Sequence, residues 1–196
     1  MANRTDPLAH CIHGTNPQFL VSKIIRDKIY NSTYWKESCF GLTAESLIDR
    51  AVELKYVGST ITGSRQVSPF ICLVLKLLQI QPEIEIVLEY IRNNDYKYLR
   101  VLGAYYLRLV GNSPEIYLNL EPLLADYRKI RIQDSNAKIT ITHIDEFIDR
   151  CLRDNTVLDI DLPPLTRREV LEESKLLLGP RKSPLDAELG LNSLCD

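Results

Sequence analysis

The sequence lacks a surplus of either charge. Its 196 residues carry 24 lysines and arginines against 26 aspartates and glutamates, a formal net charge of −2. A domain that holds nucleic acid mainly through phosphate contacts usually shows a strong basic excess, so that class is disfavoured, although a small basic patch fits these numbers. Paired cysteine spacings are also missing. Cys11, Cys39, Cys72, Cys151 and Cys195 are scattered, odd in number and never arranged as CxxC, which argues for reduced thiols in the cytosol or nucleus rather than a disulfide frame. The opening MANRTDPLAH has no apolar core of signal-peptide length. No stretch approaches the roughly 18 apolar residues of a membrane span. Asn3-Arg4-Thr5 and Asn31-Ser32-Thr33 match the glycosylation sequon, which means little without a secretory signal. Internal repeats and low-complexity blocks are absent as well. The expectation is a soluble, intracellular protein with no membrane contact.

What is present is ordinary globular material. A composition 45% hydrophobic and 26% charged is that of one folded domain with enough chain to bury a core. Proline punctuates it: Asn16-Pro17, Ser68-Pro69, Gln81-Pro82, Ser113-Pro114 and Glu121-Pro122 each precede an apolar-periodic segment. The first helical turn has no intrahelical partner for its N–H groups, so proline is tolerated there, and Asn16, Ser68 and Ser113 are good caps.

Periodicity predicts a first helix from Pro17 to Tyr30, burying Phe19, Leu20, Val21 and Ile24. A second runs from Ala44 to Val57, capped by Thr43, with Leu47, Ile48, Ala51, Val52 and Leu54 inward. The third, Pro69 to Leu78, is apolar almost all round and belongs at the centre of the core. Pro82 to Asn93 follows. Asn94-Asp95 then caps YKYLRVLGAYYLRLV, where only Lys97, Arg100, Ala104 and Arg108 share a less apolar face. Gly103 within it is explained by close helix–helix contact. Short helices from Pro114 and Pro122 lead into KIRIQDSNAKITIT, whose period-two pattern around Asp134-Ser135-Asn136 reads as a β-hairpin. Thr142 caps HIDEFIDRCL, and a last helix spans Thr166 to Leu178. The fold class is therefore all-α, a single multi-helix domain with a minor β-hairpin around residues 128–142. An N-terminal arm covers residues 1–13, the helical domain 14–178 and a flexible tail 179–196.

Reactive constellations fail on spacing. HCIHG gathers His10, Cys11 and His13, but a tetrahedral zinc site needs two spaced ligand pairs, and the only other histidine is His143. No carboxylate stands in a defined position to orient a Cys11–His13 pair. Thr15-Asn16-Pro17-Gln18 reads as a helix start instead. GSTITGSR, Gly58 to Arg65, resembles a phosphate-binding loop in outline only: Ser64 replaces the lysine, Arg65 replaces the hydroxyl residue, and a helix precedes it where a strand is required. The aromatics of YWKESCFGL are expected to pack between helices. Arg128, Lys129, Arg131 and Lys138 gather on the hairpin, with Arg150 and Arg153 beyond. They form either a solvated face or a modest contact for RNA or an acidic peptide.

IHGTNPQFLVSKIIRDKIYNSTYWKESCFGLTAESLIDRA, SPFICLVLKLLQIQPEIEIV, DYKYLRVLGAYYLRL, EPLLADYRKIR and HIDEFIDRCL followed by LPPL occur in that order. Together they resemble the pre-mRNA-processing factor thirty-eight family of spliceosomal proteins, from about Ile12 to Glu173. The resemblance implies a nuclear, non-enzymatic scaffold without cofactor or metal, which docks partners in the pre-catalytic spliceosome and is required for its activation. Its implied partners are a zinc-finger spliceosomal protein, a largely helical protein of the microfibrillar-associated type, and the core splicing machinery. A direct RNA-binding module using the basic patch is the alternative, and a weak RNA contact inside the assembly is compatible with either. Alone, the chain is expected to be monomeric. Partner contacts are expected at Tyr34, Arg65, Tyr96, Arg128, Lys129, Arg131 and Lys138, where exposure and interface-suited side chains coincide.

Overall fold

Asn16 opens the first element, accepting the Gln18 N–H at the head of a 3-10 turn over Pro17–Leu20. In the computed structural model, which describes residues 3–64, 66–181 and 183, that turn does not continue. Val21 and Ser22 are extended, and α1 (Lys23–Asn31) starts afresh. The single helix expected here is thus two pieces, and the break resets which side chains face inward. Val21, Ile25 and Ile29 are buried, whereas Phe19 and Ile24, expected inside, are 55% and 72% exposed. Arg26 lies over Phe19 with its guanidinium 4.5 Å from the ring centroid.

Ser32 caps α2 (Thr33–Ser38) and brings Trp35 and Cys39 into the core. Thr43 and Ser46 cap α3 (Ala44–Val52) reciprocally. That helix ends before the expected Val57, because the chain straightens into β1 (Val57–Gly58), and Val52 is left at the surface. α4 (Pro69–Ile80) starts at Ser68, whose Oγ accepts from Ile71 N. It is buried at every position from Phe70 to Gln79.

α5 (Ile84–Arg92) and α6 (Lys97–Val110) cross at Gly103. A Cβ there would stand 2.9 Å from Tyr90 Cβ and 3.2 Å from Ile91 Cγ1, so the glycine is what allows the approach. The less apolar face of α6 is not solvent-exposed either, since Arg100, Ala104 and Arg108 are all buried. Arg108 Nε donates to Cys151 O at 2.8 Å, and Arg100 pairs with Asp126 at 2.6 Å. Tertiary acceptors, which a helical wheel cannot show, admit these charges to the interior.

α7 (Ser113–Leu120) and a 3-10 turn, Glu121–Ala125, lead to the expected hairpin, β2 (Lys129–Gln133) with β3 (Ile139–His143). It is antiparallel, pairing Ile130 with Thr142 and Ile132 with Thr140. Asp134 Oδ1 closes its turn by accepting from Asn136 N and Lys138 N. β1 joins as a third, parallel strand, with Val57 opposite Ile132.

His143, one residue later than expected, is the N-cap of α8 (Ile144–Arg153), and Glu146 accepts its backbone N–H. β4 (Thr156–Val157) and β5 (Ile160–Asp161) form a tiny hairpin absent from the periodicity reading. The final helix, α9 (Arg168–Glu173), stops well short of Leu178, with Lys175 in the left-handed region just beyond it. Tyr105 lies at the centre, its ring centroid 6.0 Å from Phe70 and 6.1 Å from Phe147, and its hydroxyl donates to Val157 O. The fold is mostly helical, as expected. Among the described residues no helix is long and apolar enough to cross a membrane. Most of the tail, 179–196, lies outside the described residues.

Candidate docking surface

Where α3 runs out, Leu54, Lys55 and Tyr56 carry the chain across the surface to β1, and a cleft opens on either side. One, of about 450 Å³, is walled by Tyr34, Tyr56, Leu54 and Pro69, with an Arg50–Glu53 ion pair of 3.2 Å at its rim. The other, of about 420 Å³, is formed by Tyr98, Ile130 and Ile141 with Lys97, Lys129 and Arg131 around it. Leu54 and Lys55 line both, so the two clefts adjoin. The hairpin supplies the second wall because period two sends Ile130 into the core and leaves Ile141 69% exposed.

Local bonds hold this wall in place. Lys97 Nζ donates to Lys129 O at 2.7 Å, and Arg131 N–H donates to the Tyr98 hydroxyl at 3.2 Å. Burial pushes the Tyr34 and Tyr56 phenols above their ordinary range, with the Cys72 thiol adding to both. Both rings therefore offer neutral, amphipathic faces at neutral pH.

The residues expected to bind partners separate into groups. Tyr34, Lys129 and Arg131 line the joined clefts. Tyr96 is 45% exposed and Lys138 sits on the hairpin turn, but neither lines either of these two clefts. Arg128 is committed internally: it grips Asp126 through Nε and Nη2 and donates Nη1 to Asn94 O. Arg65 lies outside the described residues. Sequence reasoning missed Lys55, Tyr56, Tyr98 and Ile141. The alternation of β3 does signal two outward isoleucines, Ile139 and Ile141, but nothing local in the sequence joins Ile141 to the end of α3.

The reactive side chains do not converge. His13 Nε2 is 3.2 Å from Leu109 O, His10 offers its backbone N–H to Gln81 Oε1, and His143 Nδ1 lies 3.6 Å from Glu146. Among the described residues no three His, Cys, Asp or Glu side chains could share a metal ion. Burial raises the Cys39 and Cys151 thiols to about 12 and lifts Cys72 further. Thiols held that high stay protonated and make poor nucleophiles.

These features define a mostly helical domain that presents an aromatic, basic-rimmed surface. The match to known proteins is specific. Residues 10–175 fit the model of the PRP38 family, and the chain belongs to that family. It is 58% identical over 186 residues to Pre-mRNA-splicing factor 38 of Arabidopsis thaliana, covering 95% of this chain and 52% of that protein. Against Pre-mRNA-splicing factor 38A of Homo sapiens, identity is 54% over 189 residues, covering 96% of this chain and 60% of the relative. The chain thus spans somewhat more than half the length of these curated relatives. A solved chain from the Snu23–Prp38–MFAP1(217-258) complex of Chaetomium thermophilum superposes with a TM-score of 0.83 at 38% identity, covering 96% of this chain and all of that one.

Proposed function

We propose that this chain is a non-enzymatic docking domain of the pre-catalytic spliceosome, acting in the nucleus and required for spliceosome activation in pre-mRNA splicing. Membership of a family whose relatives are splicing factors supports this reading, as does a structural neighbour from a three-protein complex. Its partners are counterparts of the Snu23 and MFAP1 chains of that complex, together with the core splicing machinery. No cofactor or metal takes part, and the chain is monomeric when isolated.

The observation that carries the proposal is the pair of adjoining clefts. An amphipathic partner segment lays apolar anchors against Tyr34, Tyr56, Leu54 and Ile141, which exclude water from the contact. Lys55, Lys97, Lys129 and Arg131 stand along the second cleft and favour an acidic partner, fixing its direction and speeding encounter. Nothing in this action requires a bond to be made or broken.

Arg131→Glu with Ile141→Asp tests it. Both residues are exposed, so the folded chain should keep its melting temperature while binding to at least one protein partner falls more than tenfold by calorimetry. Unchanged affinity for every partner would remove the clefts from the function. A direct RNA-binding module predicts instead that the isolated chain holds an RNA oligonucleotide with an affinity falling steeply as salt rises.

A further inference from the structure

α4 breaks a rule. Between Pro69 and Ile80 it is the most apolar segment of the chain, buried at every position from Phe70 to Gln79, yet position 76 is a lysine. Lys76 is only 8% exposed and has no hydrogen-bond or ion-pair partner among the described residues. Its ammonium lies 5.8 Å from the Trp35 ring centroid, a cation–π contact that partly offsets burial. Burial nonetheless lowers its pKa, an effect that Cys39 opposes. A leucine or methionine would suit the core better, since drawing a charge largely out of water without a counter-charge costs stability. Violations of this kind concentrate at functional sites.

Lys76 also lines an open cavity of about 410 Å³, together with Arg4, Asp6, Leu42, Gln79 and Ile80. The N-terminal arm supplies its outer wall, held by Asp6 N–H on Gln79 O and by Trp35 Nε1–H on Asn3 Oδ1. This cavity shares no lining residue with the two clefts. Its lining carries two cations against the single carboxylate of Asp6, one unit of positive charge in excess. We infer that the cavity between the N-terminal arm and α4 is a second docking site, which takes an acidic side chain, aspartate or glutamate, of a protein partner onto Lys76 and Arg4.

One carboxylate balances that excess. The apolar wall of Leu42, Pro7 and Ile80 suits the methylenes that carry it. A nucleic-acid backbone fits less well: it needs cations repeated along a track, and Asp6 would repel its next phosphate. The inference rests on the docking reading only for the kind of partner, because the site itself is separate.

Trp35 is the only tryptophan, so its emission reports on Lys76 directly. The full chain is titrated with tetraglutamate while fluorescence and heat are followed, with tetraglutamine, inorganic phosphate and oligouridylate as further arms. The expected result is a saturable signal with tetraglutamate and none with tetraglutamine. Affinity should fall at least tenfold in Lys76→Gln and Lys76→Met, and stay unchanged in the Arg131→Glu, Ile141→Asp variant. The Lys76→Met chain should fold at least as stably as the parent. Absence of signal, an equal response in either folded Lys76 variant, or tighter binding of phosphate or oligouridylate than of the peptide would overturn the inference. Loss of the signal in the cleft variant would overturn the separateness of the two sites, whereas failure of the cleft variant to lose its partner would leave this site standing.

Discussion

At the scale of single residues, Asp126 decides how the basic hairpin is held. Its carboxylate receives Arg100 from the core and Arg128 from the hairpin's approach, both at 2.6 Å. Arg100 and Arg128 in turn bond to the Asn93–Asn94 turn between α5 and α6. Burial works against the charged carboxylate, but hydrogen bonds from Arg128 and Arg100 outweigh it and hold the pKa below its ordinary value of 3.8. A lowered carboxylate pKa means stability that is fully present above the unfolded value and is lost as pH falls through the folded one. Asp126→Asn should therefore cost about 3 kcal/mol at neutral pH, as expected for breaking a buried pair. In urea unfolding at a series of pH values, the gap between parent and variant should narrow only below about pH 4. A gap that stays constant into acid would show that the carboxylate charge contributes nothing. Arg128 thus helps hold the surface in place through Asp126, and charge reversal there would confuse binding with folding.

At the scale of elements, the crossing of α5 and α6 depends on one absent methyl group. Alanine at position 103 would gain roughly 1 kcal/mol in helix propensity. It would also force Tyr90 and Ile91 apart, since its Cβ would meet Tyr90 Cβ at 2.9 Å. Overpacking of a well-filled core costs about 1–3 kcal/mol, and Tyr90 cannot easily retreat because its hydroxyl is fixed on Ala44 O at 2.6 Å. Gly103→Ala should therefore lower stability by about 1 kcal/mol net and the melting temperature by roughly 2–4 °C. An unchanged or higher melting temperature would mean that the two helices can slide apart freely. Elements with local signals were legible: Ser68-Pro69 starts α4, and the alternation of KIRI and ITIT marks β2 and β3. The split at Val21–Ser22 was not, because the residues from Pro17 to Tyr30 also satisfy one continuous helical stripe. The choice between the two depends on what Val21 packs against.

At the scale of the whole molecule, one contiguous cluster of buried side chains runs from Val21 through α4 and α6 to Leu162. Both candidate surfaces lean on it, the clefts through Leu54 and the arm cavity through Leu42 and Ile80. A single core predicts a single cooperative transition. Helical circular dichroism and Trp35 fluorescence should lose signal at the same urea concentration. An earlier Trp35 transition would show that the α1–α2 side, with the arm docked on it, unfolds as a separate unit. The family resemblance was legible because ordered segments survive in the sequence whatever their contacts. The candidate surface was legible only in part: Tyr34, Lys129 and Arg131 were identified, whereas Tyr56, Tyr98 and Ile141 were not.

By itself the sequence determined where most helices and the main hairpin begin, which stripe of most of them is apolar, and that no reactive cluster follows a known spacing. Those properties depend on residues within a few positions of one another, through caps, proline φ restriction and side-chain period. Only the tertiary structure decided that β1 pairs with β2, that Arg100 and Arg128 share Asp126, and that Lys76 ends over Trp35 in a cavity. Val57 and Ile132, Arg100 and Asp126, and Lys76 and Trp35 are each more than twenty residues apart, and contact at that distance is set by how the elements pack. Local patterning carries no record of that packing.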